Sequence, residues 1–110
     1  MKISQETHGN ATLIRLDGKL DVHSTPVVLE VLEGLMAGGV TDMVIDMLKV
    51  RFVSSYGLGV LISVNKKAKE RGGRVKLANM LPEIKVPFEI TGVLPQFEVY
   101  ESTESALGIS

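Results

Sequence analysis

A buried-strand pattern that leads directly into an amphipathic-helix pattern limits what this chain can fold into. Residues 43–48 are apolar except for Asp46, as in a central strand that is covered on both faces. From Ser55 to about Arg71 the apolar residues recur at helical spacing along one narrow face. Parallel strands need crossover connections, which are usually helices. The pattern therefore predicts a sheet with parallel pairing that is covered by helices.

The same alternation of patterns extends over the whole chain. Its predicted order is β-β-α-β-α-β-α-β-α, which indicates an α/β domain. Right-handed crossovers place successive helices on one side when strands are added in one direction. We therefore expect a central mixed sheet with about four helices packed mainly on one face. No linker or repeat is visible, which predicts a single domain over residues 1–110. Further strands are predicted at residues 3–6, 11–16, 74–77 and 97–100, and further helices at residues 26–37, 82–91 and 102–107.

Capping and helix-breaking residues set the predicted ends of these elements. Asp17-Gly18 is expected to end the second strand. Thr25 is placed as the cap of the first helix, with Pro26 at the first helical position, where no N–H is needed. Gly38 is predicted to stop that helix. Pro87 is predicted to interrupt the third helix, because proline lacks the donor that a helix interior uses.

Composition and charge argue against several classes of function. The net charge is -1 with no block of like charge, which argues against a nucleic-acid partner. The chain has no cysteine, so disulfides and thiolate metal sites are excluded. No apolar run approaches the roughly 18 residues of a membrane span, and the first residues lack the apolar core of a signal peptide. We therefore expect a cytoplasmic protein with no membrane association.

Two hydroxyl side chains, those of Ser54 and Ser55, stand where the central strand ends and the second helix begins. A helix N-terminus carries unpaired N–H groups and about half a positive charge, so at least one of the two serines is expected to cap the helix. A phosphate-binding turn and a phosphorylation site remain open as further interpretations. A phosphate group would add about two negative charges, which the helix tolerates and a partner that presents carboxylates would repel. Phosphorylation would then end binding without unfolding the domain.

The features that an enzyme would need are weak in this sequence. Gly57-Leu58-Gly59 is half of a dinucleotide-binding fingerprint, but Ile62 occupies the position of the third glycine. We attribute both glycines to close packing of the helix start on the sheet. A serine nucleophile needs a neighbouring base, and His8 and His23 fall in a predicted turn and a predicted loop. No catalytic residue, metal or cofactor is predicted, and a small serine hydrolase is kept as an alternative.

Two acidic residues are expected near the junction between strand and helix. Asp46 lies within the central strand, and we expect its carboxylate to accept hydrogen bonds from backbone donors. Asp21 lies in the loop before the first helix. A turn-stabilising role and a role in binding are both open for Asp21.

In these motifs the chain resembles the anti-sigma-factor antagonists, which are small bacterial members of the STAS domain family. The most specific part of the resemblance follows the central strand, where the family reads roughly Asp-Ser-Ser-Gly-Leu-Gly. The resemblance implies the fold of that family and a role as a partner-switching regulator of transcription. The corresponding stretches, which together span nearly the whole chain, are Thr12–Leu16, Gly18–Asp21, Val44–Met47, Phe52–Leu61 and Thr91–Val93.

The resemblance also implies partners and site residues. Such a protein binds an anti-sigma factor that is also a serine kinase, and the binding releases a sigma factor. The kinase would phosphorylate Ser55, with Ser54 as the alternate acceptor, and a phosphatase would reset the cycle. A monomer is expected when the protein is free of partners. The implied partner-binding residues are Asp21, Ser54, Ser55, Tyr56 and Gly57.

Two residues at the junction depart from the family pattern. Ser54 stands where an aspartate is usual, and Tyr56 stands where a small residue is usual. Both departures bear on recognition by the kinase rather than on the fold, and Tyr56 adds an aromatic side chain of the kind that often anchors interfaces. The alternative function is a STAS binding module that is not phosphorylated and serves as a regulatory subunit of a transporter or sensor complex.

Overall fold

A five-stranded mixed sheet forms the centre of the computed structural model, which describes residues 1–109. The strand order is β1-β2-β3-β4-β5; β1 runs antiparallel to β2, and the other neighbours are parallel. The predicted α/β fold with a mixed sheet is therefore confirmed. The strands are β1 (Lys2–His8), β2 (Ala11–Leu20), β3 (Asp42–Val53), β4 (Arg74–Ala78) and β5 (Glu98–Tyr100). The helices are α1 (Thr25–Ala37), α2 (Ser55–Glu70), α3 (Pro82–Ile90) and α4 (Thr103–Leu107), with a 3-10 turn at Leu94–Gln96.

Helices α1, α2 and α3 lie on one face of the sheet, and α4 lies on the other. The strands from β2 to β5 are added in one direction, so right-handed crossovers place the three helices between them on the same side. On that side Leu32, Leu61 and Phe88 pack with the inward-facing residues of β2, β3 and β4 in the main core. A smaller cluster on the other face contains Ala106 of α4 together with Leu13, Val44 and Ala78. The expectation that most helices share one face is confirmed.

The second strand is longer than the sequence predicts. It continues through Gly18 to Leu20, because pairing with β3 extends to the pair Leu20–Val53. The prediction that Asp17-Gly18 ends this strand was therefore wrong. Between the pairs Arg15–Asp46 and Asp17–Lys49, β3 contains one residue more than β2, which is a β-bulge. Pairing between distant parts of the chain, rather than local turn preference, sets where β2 ends.

The helix boundaries agree with the sequence in most cases. Helix α1 begins at Thr25, but Ser24 occupies the capping position and the Thr25 side chain is buried, so the prediction of Thr25 as the cap was wrong. Gly38 ends α1 as predicted. Gly72 follows α2 with φ of 81°, a left-handed conformation that glycine adopts easily. Helix α3 ends at Ile90, one residue before the predicted end, and continues through Pro87, so the prediction that the proline interrupts it was wrong.

Candidate functional site

Ser54 caps helix α2. Its backbone is extended, and its Oγ accepts a hydrogen bond of 3.0 Å from the N–H of Gly57. Its own N–H donates to the carbonyl oxygen of Leu20 over 2.9 Å, and its carbonyl oxygen accepts from Leu58 over 2.9 Å. Ser54 is thus hydrogen-bonded both to the end of β2 and to the first turn of α2. Its hydroxyl group is committed to the structure of the junction.

Ser55 is the first residue of α2, and its side chain is exposed. Within residues 1–109 its hydroxyl makes no side-chain hydrogen bond. The backbone explains the difference from its neighbour. The extended conformation at the capping position turns the oxygen of Ser54 back towards the helix, whereas Ser55 already has helical geometry and points its side chain outwards. Of the two adjacent hydroxyls, only that of Ser55 is free to meet another molecule.

The two residues after Ser55 face opposite ways. Tyr56 is 46% exposed. Gly57 is buried against β2, where a Cβ atom would lie 2.9 Å from the carbonyl oxygen of Leu20. The interpretation of Gly57 as a close-packing residue is therefore confirmed. The same interpretation of Gly59 was wrong, because a Cβ there would have no heavy atom within 4 Å apart from its own helix backbone and chain neighbours.

Asp21 lies in the loop that directly follows β2, so it is close in sequence to the contact between Leu20 and the start of α2. Its Oδ1 accepts hydrogen bonds of 3.0 Å from the backbone N–H groups of Ser24 and His23. Both bonds lower the pKa of the Asp21 carboxyl below its ordinary value, and the bond from Ser24 has the larger effect. The carboxylate therefore stays ionised at neutral pH and stabilises the turn that enters α1.

Asp46 supports the sheet rather than the serine pair. Its Oδ1 accepts from the backbone N–H of Leu48 over 3.1 Å and from the Nδ2 of Asn79 over 3.0 Å. Its Oδ2 lies 3.7 Å from the Nε of Arg15. The first contact holds the bulge of β3, and the second holds Asn79, whose φ of 58° is left-handed. The expected role of Asp46 as an acceptor for backbone donors is confirmed.

The histidines do not form a catalytic arrangement with the serines. His8 is the last residue of β1 rather than part of a turn, and its Nε2 lies 3.8 Å from a carboxylate oxygen of Glu6. The backbone N–H of His23 donates to Asp21. Among residues 1–109, no group of three or more histidines, cysteines or acids is placed to hold a metal ion. In the same part of the chain, no helix is both long and apolar enough to cross a membrane.

Three exposed apolar side chains in the segments that flank the junction were not predicted from the sequence. Phe52 precedes the serine pair and is 48% exposed, Val22 lies in the loop after β2, and Val27 lies in the first turn of α1. Exposed large apolar residues that lie close together often mark interaction surfaces. The sequence did contain an indication for Phe52, because this residue belongs to the same motif as the two serines. None existed for the valines, which lie in the loop after β2 and in the first turn of α1.

Comparison with known proteins identifies the family of this chain. The family model described as "STAS domain" matches residues 2–106. The chain belongs to the STAS domain family. This finding confirms the family that the sequence motifs indicate.

Relatives of this STAS domain include proteins named anti-sigma factor antagonists. The anti-sigma-B factor antagonist of Bacillus subtilis (strain 168) is 29% identical over 107 residues, which cover 97% of each chain. The solved structure of an anti-sigma factor antagonist from Mycobacterium paratuberculosis has a TM-score of 0.87 at 23% identity, covering 97% of this chain and 91% of the other. The Bacillus cell fate determinant SpoIIAA in its phosphorylated form has a TM-score of 0.77 at 23% identity, covering 97% of both chains. At this level of identity the two structures show that the fold is shared.

Proposed function

We propose that this STAS domain is an anti-sigma-factor antagonist that phosphorylation of Ser55 switches off. In its unphosphorylated form it binds an anti-sigma factor that is also a serine kinase, and this binding releases a sigma factor. The kinase then transfers the γ-phosphoryl group of ATP to the Ser55 oxygen, which gives ADP and a phosphoserine and releases the hydroxyl proton. The phosphorylated protein dissociates, and a phosphatase restores the hydroxyl. The cycle takes place in the bacterial cytoplasm.

One observation carries the choice of acceptor. Ser55 is exposed at the first position of α2, whereas the oxygen of Ser54 accepts the Gly57 N–H. A kinase reaches Ser55 without breaking any hydrogen bond of its side chain, but modification of Ser54 would remove the helix cap. The name of the Bacillus subtilis relative and the phosphorylated state of SpoIIAA support the same function.

The neighbouring residues take different parts in partner binding under this proposal. Tyr56 contacts the partner through its exposed ring, since aromatic residues are frequent anchors of interfaces. The ionised carboxylate of Asp21 orders the loop before α1 through two backbone hydrogen bonds, and this loop forms part of the binding surface. Gly57 keeps the helix start close to β2, which sets where Ser55 and Tyr56 stand. Ser54 holds the same geometry through its cap.

A phosphorylation assay tests the proposal directly. The protein is incubated with ATP and the kinase-like anti-sigma factor encoded in the same genome, and the modified residue is located by mass spectrometry. We expect phosphate on wild type and none on Ser55→Ala. The matched control is Ser63→Ala, which changes another exposed serine of α2 and should accept phosphate like wild type.

Three results would count against the proposal. Equal phosphorylation of Ser55→Ala would remove Ser55 as the acceptor, and phosphate found on Ser54 would make the alternate serine the switch. Stable binding of the anti-sigma factor without any phosphate transfer would favour the unphosphorylated binding module.

A further inference from the structure

We propose that the open edge of β1 pairs with β1 of a second copy of this chain, so that two sheets join into one across a two-fold axis. The inference goes beyond the proposed function, involves no residue of α2, and departs from the expectation of a free monomer. β1 and β5 are the outer strands of the sheet. β5 has three residues, whereas β1 has seven, of which all but Ile3 are exposed. Such an edge carries backbone donors and acceptors that no neighbouring strand uses.

β1 lacks the features by which proteins usually prevent pairing at a free edge. Its pairing with β2 is unbroken by a bulge over all seven residues, and the strand contains no proline. Side chains alternate between the two faces, and Ile3, Gln5 and Thr7 share the face that packs on the helices. All three are uncharged, so β1 points no charge towards the helix side. The short β5 is protected by its length, but β1 is not.

The turn between β1 and β2 shows which backbone groups of β1 face the open edge. The loop has two residues, and a turn of this length closes on a hydrogen bond between the flanking residues, His8 and Ala11. Hydrogen-bonded and non-hydrogen-bonded pairs alternate along an antiparallel ladder, so the even residues of β1 bond to β2. The N–H and C=O groups of Ile3, Gln5 and Thr7 therefore point outwards.

Charge complementarity selects the register of the two strands. A two-fold axis makes identical strands antiparallel, and the outward groups require odd residues to stand opposite odd residues. An axis at Ser4 and an axis at Gln5 both meet this condition. The axis at Ser4 sets Lys2 of each copy opposite Glu6 of the other, whereas the axis at Gln5 sets Lys2 opposite His8. Opposite charges across an antiparallel pair stabilise it, which favours the axis at Ser4.

The surrounding charges leave Lys2 available for this pairing. Within residues 1–109 Lys2 forms no ion pair. Asp17 stands opposite it in β2 but pairs with Arg51 over 3.3 Å. The Glu6 carboxylate is held by Arg15, on the helix-free face of the sheet. In the dimer it would lie between that guanidinium and Lys2 of the second copy, so neither copy places like charges opposite each other.

The helix side of the edge has room for side chains of the second strand. A groove of about 430 Å³ lies between β1 and α1. With the axis at Ser4, Ile3 of the second copy stands opposite Gln5, which lines this groove. Its apolar side chain would meet Val27, which is 53% exposed, and Val31. The residues that line the groove are Gln5, Val27, Glu30, Val31, Gly34 and Leu35.

Sedimentation of the full chain tests the dimer. We expect the weight-average mass to rise with concentration from 11.9 kDa towards twice that value. Gln5→Pro should raise the dissociation constant of the dimer at least about tenfold, because proline removes an outward N–H and is tolerated on an edge strand. The matched control is Gln5→Thr, which keeps the N–H and should leave the dissociation constant unchanged. Circular dichroism and thermal unfolding verify that each variant is folded.

A disulfide cross-link tests the register. The chain has no cysteine, so an introduced thiol can pair only with its copy. Ser4→Cys would set two thiols opposite each other in a non-hydrogen-bonded pair, whose Cα atoms lie about 4.5 Å apart, within the range of a disulfide. We expect Ser4→Cys to form a covalent dimer under mild oxidation. Ser63→Cys, at an exposed serine of α2, is the control and should stay monomeric.

Several results would overturn the dimer. A wild-type protein that stays monomeric up to about 1 mM excludes useful affinity between the edges. Unchanged association of folded Gln5→Pro would place the interface elsewhere, and faster cross-linking of Gln5→Cys than of Ser4→Cys would overturn the charge pairing. If Gln5→Pro fails to fold, the cross-linking of Ser4→Cys decides. None of these measurements involves phosphorylation of Ser55, so the proposed function is tested separately.

Discussion

At the residue scale, two adjacent serines with the same side chain have different environments. Ser54 precedes the helix and uses its oxygen as a cap, whereas Ser55 begins the helix and presents its oxygen to solvent. The difference arises from backbone conformation, since Ser54 is extended with ψ of 165°. A capping bond of this kind stabilises a protein by about 1 kcal/mol. The structural role is thus confined to Ser54, and the proposed function assigns regulation to its neighbour Ser55.

Replacing each serine by alanine should separate the two roles. We expect Ser54→Ala to lower the free energy of unfolding by about 1 kcal/mol, because the N–H of Gly57 loses its acceptor. Ser55→Ala should change it by less than about 0.5 kcal/mol, as is usual for exposed positions. Urea denaturation followed by circular dichroism measures both. Equal losses would mean that the two hydroxyls share the cap.

The two glycines of the motif should also respond in opposite directions. Gly57→Ala would place a Cβ 2.9 Å from a backbone oxygen of Leu20, so we expect a loss of about 1–3 kcal/mol in unfolding free energy. Gly59→Ala adds a methyl group in open space within a helix, so we expect a gain of about 0.5–1 kcal/mol. The comparison uses the same urea denaturation. A loss at position 59 as large as that at position 57 would contradict the assigned packing.

At the scale of elements, helix α2 is held by a buried amide as well as by apolar packing. Asn65 is only 3% exposed. Its Nδ2 donates to the carbonyl oxygen of Gln96 over 2.8 Å, and its Oδ1 accepts from the backbone N–H of Val75 over 3.2 Å. One side chain thus joins α2 to the start of β4 and to the 3-10 turn before β5. This attachment fixes the orientation of the helix whose first turn carries Ser55.

Removing this amide should loosen the attachment of α2. We expect Asn65→Ala to lower the free energy of unfolding by about 1–3 kcal/mol, because the buried N–H of Val75 is left without its acceptor. Lys66→Ala, at the neighbouring exposed position, serves as the control and should have little effect. Hydrogen exchange of the Val75 amide provides a local readout. Unchanged protection of that amide in Asn65→Ala would show that another acceptor replaces the side chain.

At the scale of the whole molecule, the topology brings the site together. Because β2 and β3 are parallel neighbours, the loop that enters α1 and the first turn of α2 lie at the same edge of the sheet. The hydrogen bond from Ser54 to Leu20 joins the two segments. The serine stands at the surface of this edge rather than within the main core. Under the proposed function, a change of charge at position 55 would alter what can dock and leave the core untouched.

A phosphate mimic should show this separation between docking and folding. We expect Ser55→Asp to weaken binding of the anti-sigma factor while the melting temperature stays within a few degrees of wild type. A carboxylate at the first position of a helix is favoured by about 0.3–1 kcal/mol, so the fold does not oppose it. Calorimetric titration and thermal unfolding measure the two effects, with Ser63→Asp on the outer side of α2 as the control. A large fall in melting temperature would mean that position 55 is structural.

Local patterns in the sequence determined the order of elements, the parallel character of the sheet, the limits of α2 and the place of the serine pair at a strand–helix junction. Hydrophobic spacing and helix-ending residues act over a few positions, so a single sequence suffices to read them. Only the tertiary structure decided that β2 continues to Leu20, that Ser24 rather than Thr25 precedes α1, and that Gly57 but not Gly59 packs closely. It also decided that Ser54 is the cap and Ser55 the free hydroxyl. The length of β2 and the packing of Gly57 depend on which distant segment lies opposite each residue, because pairing of β2 with β3 and the seating of α2 on Leu20 bring together positions more than thirty residues apart. The identity of each cap depends on the backbone conformation at that position, which the residue type alone does not set.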